Sequence, residues 1–194
     1  MLVSPSLLMK TTKIIFGLAV CSWLTGCASP QYPNYFKEDQ IIRPYTLASG
    51  DRLRIIVFGQ NDLSNSYGVD GSGNIAMPLI GTVHAEGRTT AQLSQDITAK
   101  LRNGLLRDPK VSAEVDTYRP FFILGEVGKA GQYPFVNGMT VETAVAIAGG
   151  FAPHAQRTTA NITRLIDGKP VKATVPINQA VLPGDNITIT GSLL

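Results

Sequence analysis

The chain has 194 residues, enough for one large domain or two small ones that share a surface. It carries 17 basic side chains against 14 acidic. Two of the 17, Lys10 and Lys13, sit in the opening stretch, so the remainder is within one charge of neutral and holds no basic run, which excludes nucleic acid as a partner. Glycine (19) and proline (12) are abundant while aromatics are only 7%, which favours turn-rich β structure over a helical bundle.

Lys10 and Lys13 precede an apolar run over residues 14–24. That run is roughly half of the ~20 residues a membrane-spanning helix needs, and it reads as the core of a signal peptide over residues 1–26. It ends in Leu24-Thr25-Gly26-Cys27, which resembles the bacterial lipobox. Small residues there let the backbone enter a peptidase groove, and the thiol is the nucleophile that a diacylglyceryl donor can alkylate. The resemblance implies an acylated mature N-terminus at Cys27, with more acyl chains than the two signals that stable anchoring requires. The competing reading is a plain secretory peptide or an uncleaved anchor. Cys21 leaves with the leader, so no disulfide can form within the mature chain. Residue 28 is Ala rather than the Asp that marks inner-membrane retention, which favours lipid anchoring at the outer membrane, facing the periplasm. Translation can start at Met1 or at Met9.

Residues 27–43, polar and interrupted by Pro30 and Pro33 before Pro44, read as a lipidated tether. A first folded unit is expected over residues 44–118. After Gly50-Asp51, residues Leu53, Ile55 and Val57 alternate with Arg52, Arg54 and Ile56, which predicts a strand with one buried face. The turn cluster at residues 71–74 followed by residues 75–81 predicts a hairpin, with Pro78 confining its strand to an edge or bulge. Thr89 caps a predicted helix with Gln92 reaching back, and Leu93, Ile97, Leu101 and Leu105 form its apolar stripe. Asp108-Pro109 follows soon after the helix, and Val111, Ala113 and Val115 alternate as another strand.

A second unit is expected over residues 119–192. Residues 121–127 read as a strand, residues 128–131 as a turn, and Thr140 as the cap of a short helix over residues 141–148 that Gly149-Gly150 ends. Asp167-Gly168 joins two strands over residues 160–166 and 171–177, and the chain closes through residues 182–190. One pattern occurs twice: Gly50-Asp51-x-Leu53-x-Ile55 and Gly184-Asp185-x-Ile187-x-Ile189. Taken alone it is a structural turn that re-enters a sheet.

The order of these motifs resembles the outer-membrane polysaccharide export family. Tyr45-x-Leu47-x-x-Gly50-Asp51, the hairpin from Gly73 to Gly81, the amphipathic helix and Asp108-Pro109-x-Val111 resemble that family's export domain. Leu124-Gly125-Glu126-Val127-x-x-x-Gly131-x-Tyr133, Ala148-Gly149-Gly150 and Pro183-Gly184-Asp185 resemble a soluble-ligand-binding β-grasp (SLBB) domain. The implied fold class is α+β: a small export domain of hairpins and one amphipathic helix, followed by a β-grasp domain. Gly50, Asp51, Gly81, Gly125, Gly131, Gly149, Gly150, Gly184 and Asp185 are the family's structural motif positions.

The resemblance implies a non-enzymatic component of a capsule or exopolysaccharide export complex: a homo-oligomeric ring, octameric in the best-known members, whose lumen passes the polymer. It docks on an inner-membrane polysaccharide co-polymerase, and its membrane contact is outer-membrane lipid through Cys27. The best-known members continue into a helix that crosses the outer membrane. This sequence stops at Leu194, so a separate outer-membrane β-barrel is an expected partner. The alternative is a monomeric periplasmic glycan-binding lipoprotein, and a polysaccharide-modifying enzyme is a third reading.

Little in the sequence supports catalysis, and no cofactor is expected. His84 and His154 lie far apart with no metal-ligand spacing around them. Glu114 and Asp116 share one side of a predicted strand, as a solvated face does, and no residue pattern selects a glycosidase carboxylate pair. Gly149-Gly150 is explained by helix termination, and Asn161-Ile162-Thr163 and Asn186-Ile187-Thr188 match a glycosylation sequon by coincidence. The sole tryptophan, Trp23, lies in the leader, so a sugar-stacking platform has to use Tyr or Phe.

Overall fold

The alternation at residues 52–57 becomes strand β1 (Arg52–Val57), in which Leu53, Ile55 and Val57 are buried and Arg52, Arg54 and Ile56 face solvent. The computed structural model describes Phe36 and residues 44–192. The expected signal peptide, Cys27 and, apart from Phe36, the tether lie outside the described residues. β1 is the central strand of a three-stranded antiparallel sheet, between β2 (Asn65–Gly68) and β5 (Val111–Thr117). A separate two-stranded hairpin joins β3 (Asn74–Met77) to β4 (Gly81–His84).

That hairpin lies one step further along the chain than the sequence implies. The cluster at residues 71–73 leads into β3 from β2, which pairs with β1 instead. The hairpin turn itself is residues 78–80, where the Ile80 N–H donates to the Pro78 carbonyl at 2.9 Å. Pro78, with no N–H to give a ladder, sits in the turn rather than in a strand. Leu79 adopts φ 67°, a left-handed conformation that few branched side chains take.

Helix α1 (Thr90–Arg102) begins with the expected capping box: the Gln92 N–H donates to Thr89 Oγ1 at 3.2 Å and the Thr89 N–H to Gln92 Oε1 at 2.9 Å. Leu93, Ile97 and Leu101 are fully buried against Leu53, Ile55, Ile75 and Val83, and these residues form the first hydrophobic core. Leu105, expected as the fourth member of the stripe, lies beyond the end of the helix and is 46% exposed.

The second core belongs to a five-stranded sheet ordered β7-β6-β10-β8-β9, with β6 (Phe121–Gly125), β7 (Gly131–Tyr133), β8 (Thr159–Ile166), β9 (Lys169–Pro176) and β10 (Asn186–Ile189). β10, last in sequence, is central: it runs parallel to β6 and antiparallel to β8. Its Ile187 stands opposite Ile123 on one side and Ile162 on the other, and all three are fully buried. Helix α2 (Val141–Ile147), capped by Thr140, packs Val141, Ala144 and Val145 into the same core. This mixed sheet with one helix against it is the β-grasp arrangement, and the molecule as a whole is α+β. Asp167 (φ 50°) and Gly168 (φ 73°) form the β8–β9 turn with the positive angles that a two-residue hairpin needs.

The described residues belong to one compact unit that contains both cores. Phe36, expected in an extended tether, is 1% exposed and packs within the second core. Thr89→Ala removes the acceptor for the Gln92 N–H while leaving the surface otherwise unchanged. It is expected to lower stability by about 1 kcal/mol, read as a fall in the urea midpoint at constant slope.

Candidate functional site

The two Gly-Asp turns each launch the central strand of a sheet, Asp51 into β1 and Asp185 into β10. Their local geometry is the same. The Asp51 N–H donates to the Ala48 carbonyl at 3.1 Å, and the Ala48 N–H returns to Asp51 Oδ2 at 2.9 Å. The Asp185 N–H donates to the Leu182 carbonyl at 3.1 Å, and the Leu182 N–H returns to Asp185 Oδ2 at 2.8 Å. Gly50 and Gly184, at φ 93° and 84°, make the turns possible.

Both carboxylates are buried, at 1% and 0% exposure, so each needs a cation or several donors. Asp185 receives a two-pronged arginine: Arg164 Nε donates to Oδ1 at 2.9 Å and Nη2 to Oδ2 at 2.7 Å, while Nη2 also reaches the Ala180 carbonyl. The guanidinium carbon of Arg164 lies 4.4 Å from the centre of the Phe36 ring. Asp51 is held by Tyr45, whose hydroxyl donates to Oδ2 at 2.6 Å, and by Arg119, whose backbone N–H donates to Oδ1 at 2.9 Å. Arg119 Nη1 also donates to the Tyr45 hydroxyl at 2.8 Å and lies 3.4 Å from Asp51 Oδ2.

Arg119 is where the two units meet. Its side chain passes so close to the second turn that a Cβ on Gly184 would lie 2.6 Å from Arg119 Nε. Beside it, the Tyr118 ring stands edge-on to Tyr45 (4.9 Å between centroids) and to Phe135 (5.4 Å), an aromatic ladder from the first unit into the second. Burial, and then the hydrogen bond to Asp51, push the Tyr45 hydroxyl far above the usual tyrosine range, with the Arg119 charge opposing.

The remaining motif positions serve the backbone. Gly81 opens β4 and Gly131 opens β7, and Gly125 ends β6 where a Cβ would overlap the Ile189 carbonyl. Gly149 and Gly150 follow α2 and close on Gly128, whose N–H donates to the Gly150 carbonyl at 2.8 Å. His84 is exposed on β4 beside Asn74, and His154 is exposed in the loop before β8. Glu114 and Asp116 both lie on the solvent face of β5.

Sequence reading missed the arginines. One signal for Arg164 was present: it shares the inward phase of β8 with Ala160 and Ile162, where a charge requires a partner. Along the solvent face of β1, an open groove of about 570 Å³ also went unread.

Residues 40–116 match the family model described as polysaccharide biosynthesis/export protein, and residues 120–172 match the SLBB domain. This defines a two-module polysaccharide export protein with one export domain and one SLBB domain. Residues 40–116 belong to the polysaccharide export family. It is similar to the exopolysaccharide production protein ExoF of Rhizobium meliloti (strain 1021), 36% identical over 127 residues that cover 58% of this chain and 30% of the relative. It is also similar to the polysialic acid transport protein KpsD of Escherichia coli, 27% identical over 120 residues (61% and 21%). The EPS I polysaccharide export outer membrane protein EpsA of Ralstonia solanacearum is 28% identical over 133 residues (55% and 35%). The chain spans about a third or less of the length of these relatives. The family is one of transport components rather than enzymes. No helix among the described residues is long and apolar enough to cross a membrane.

Arg164→Ala leaves the Asp185 carboxylate buried without its cation and is expected to cost about 3–5 kcal/mol. Arg119→Ala acts on a side chain that is 24% exposed and leaves Asp51 three other donors, so a smaller loss of about 1–2 kcal/mol is expected. Chemical denaturation of both variants measures the difference. The folded state also retains the Tyr45 proton that the unfolded chain sheds above the usual value of 10.0. That contribution is complete below pH 10 and is lost as pH rises beyond it. Tyr45→Phe is therefore expected to flatten the alkaline fall in stability, leaving the smaller share of Tyr67, whose burial raises its hydroxyl in the same direction.

Proposed function

We propose that this protein is a lipid-anchored subunit of a capsule or exopolysaccharide export complex, held at the outer membrane through Cys27 and facing the periplasm. In this reading the leader over residues 1–26 is removed and residues 27–43 lead from the membrane. Residues 44–118 and 119–192 are the export and SLBB modules, and Gly50, Asp51, Gly184 and Asp185 are their strand-launching turns. Subunits assemble as a homo-oligomeric ring whose lumen passes the polymer, and the ring docks on an inner-membrane co-polymerase.

The observation that carries this reading is the Arg119 junction. A ring under load needs subunits whose modules keep one mutual orientation. Here one arginine packs against both Gly-Asp turns while an aromatic ladder spans the same seam. The four residues ending at Cys27 support the anchor, and the family match supports the cargo.

Deleting the gene is expected to abolish surface polysaccharide. Cys27→Ser is expected to release the protein from the outer-membrane fraction and to lose a palmitate label. Light scattering on detergent-extracted wild-type protein is expected to give a closed oligomer. A strictly monomeric species at high concentration removes the ring and favours a glycan-binding lipoprotein.

A further inference from the structure

We infer that the groove beside β1 is a saccharide-binding site through which the export module holds a segment of the transported polymer. The inference rests on the export reading above and adds the residues that touch the cargo. The groove's volume, about 570 Å³, falls within the range of small-ligand sites, and its walls include Arg54, Ile56, Phe58, Asn61, Asn65 and Asp116.

Its chemistry is mixed in the way a sugar requires. A pyranose ring offers a face of C–H bonds and a rim of hydroxyls, each of which both donates and accepts. It is therefore held by a flat apolar surface beside donors and acceptors together. Phe58, immediately after β1, is 80% exposed, and Ile56 beside it is 47% exposed. Around them the polar groups keep spare capacity. Among the described residues Arg54 makes no ion pair or side-chain hydrogen bond, and neither does the Asn61 amide. Asn65 Oδ1 is occupied by the Ser66 N–H at 2.8 Å, which leaves its NH2 group to donate. Asp116 accepts only from Ser66 Oγ, at 3.3 Å.

Other occupants fit less well. A phosphate or other compact anion would gain from Arg54 but would face Asp116, and it would have no use for Phe58. An apolar protein surface would cover Ile56 and Phe58 while stripping water from a guanidinium, two amides and a carboxylate. A hydroxyl-rich chain satisfies all of them. With one cation and one anion in the groove, the favoured segment is neutral or carries a single carboxylate beside Arg54.

The protein's only tryptophan, Trp23, lies in the leader that this reading removes, so Phe58→Trp places the sole tryptophan reporter of the mature protein in the groove. The probe is a set of oligosaccharides made by partial acid hydrolysis of the producing cell's own exopolysaccharide, added to the mature lipidated protein in detergent. Saturable tryptophan emission changes are expected. Calorimetric binding by the wild type should weaken about tenfold in Phe58→Ala and several-fold in Arg54→Ala. Both side chains are exposed, so unchanged circular dichroism and thermal midpoint are expected of these variants. Flat emission with all oligosaccharides, or calorimetric binding that Phe58→Ala leaves intact, overturns the site. If deletion of the gene still abolishes surface polymer, the export reading survives that failure. Saturable binding at the groove in a protein whose deletion leaves the polymer intact sinks the export reading and keeps the site. Emission that changes with protein concentration alone, without sugar, makes the groove a contact between copies and overturns the inference.

Discussion

Burying a carboxylate at the mouth of a sheet's central strand constrains everything around it. A charge taken out of water must be met by donors placed to a few tenths of an ångström, or the strand does not start there. Asp51 and Asp185 impose this twice, and each is met by one backbone N–H three residues upstream and by an arginine far away in sequence. The local half of the arrangement can form within a four-residue turn. The distant half requires that the partner strand or seam already lies in place. Each turn therefore acts as a check that its sheet is correctly assembled.

The two sites then differ in what their arginines do. Arg164 is 5% exposed, engages Asp185 with both prongs and lies over Phe36, so it serves the interior of the β-grasp module. Arg119 spends its backbone N–H and one guanidinium nitrogen on the first module's turn while its stem lies over the second module's Gly184. One residue type, recruited to equivalent aspartates, builds a core in one case and a seam in the other. Phe36 adds a third element. A residue from the segment expected to lead away from the membrane is buried beside Arg164, so the entry of the chain is tied to the second module rather than to the first.

What the sequence disclosed follows from periodicity and local chemistry. The alternation in β1 and β5, the capping box at Thr89 and the turn at Asp167-Gly168 are encoded within a few residues of one another and could be read directly. The repeated Gly-Asp pattern was visible as a pattern, yet its meaning was not, because Arg119 lies 68 residues from Asp51 and Arg164 21 from Asp185. The hairpin was displaced because glycine-rich residues 71–74 carry a stronger turn signal than Pro78-Leu79-Ile80, whose central leucine holds a backbone angle that branched side chains rarely adopt. Leu105 followed the spacing of the α1 stripe but not the length of the helix. The β1 groove could not be read at all, since Asn61, Asn65 and Asp116 become neighbours only when β2 and β5 flank the strand.

β1 joins the two features that matter most. Asp51 precedes its first residue, while the groove runs along its solvent face from Arg54 to Phe58, just past its last residue, so the seam and the groove are built on one six-residue strand. That strand is paired on both sides, and its inward face is fully packed by Leu53, Ile55 and Val57. A paired, buried strand neither stretches nor slips without moving every side chain on it to the wrong face. Displacing either end therefore moves the whole sheet, and at the Asp51 end the sheet is bonded to Arg119, which is wedged against Gly184 at the start of the second module's own central strand. The two modules are thus joined through the most constrained strand of each sheet, so the orientation of the groove is fixed relative to the SLBB module by hydrogen bonds and packing rather than by the short linker between them.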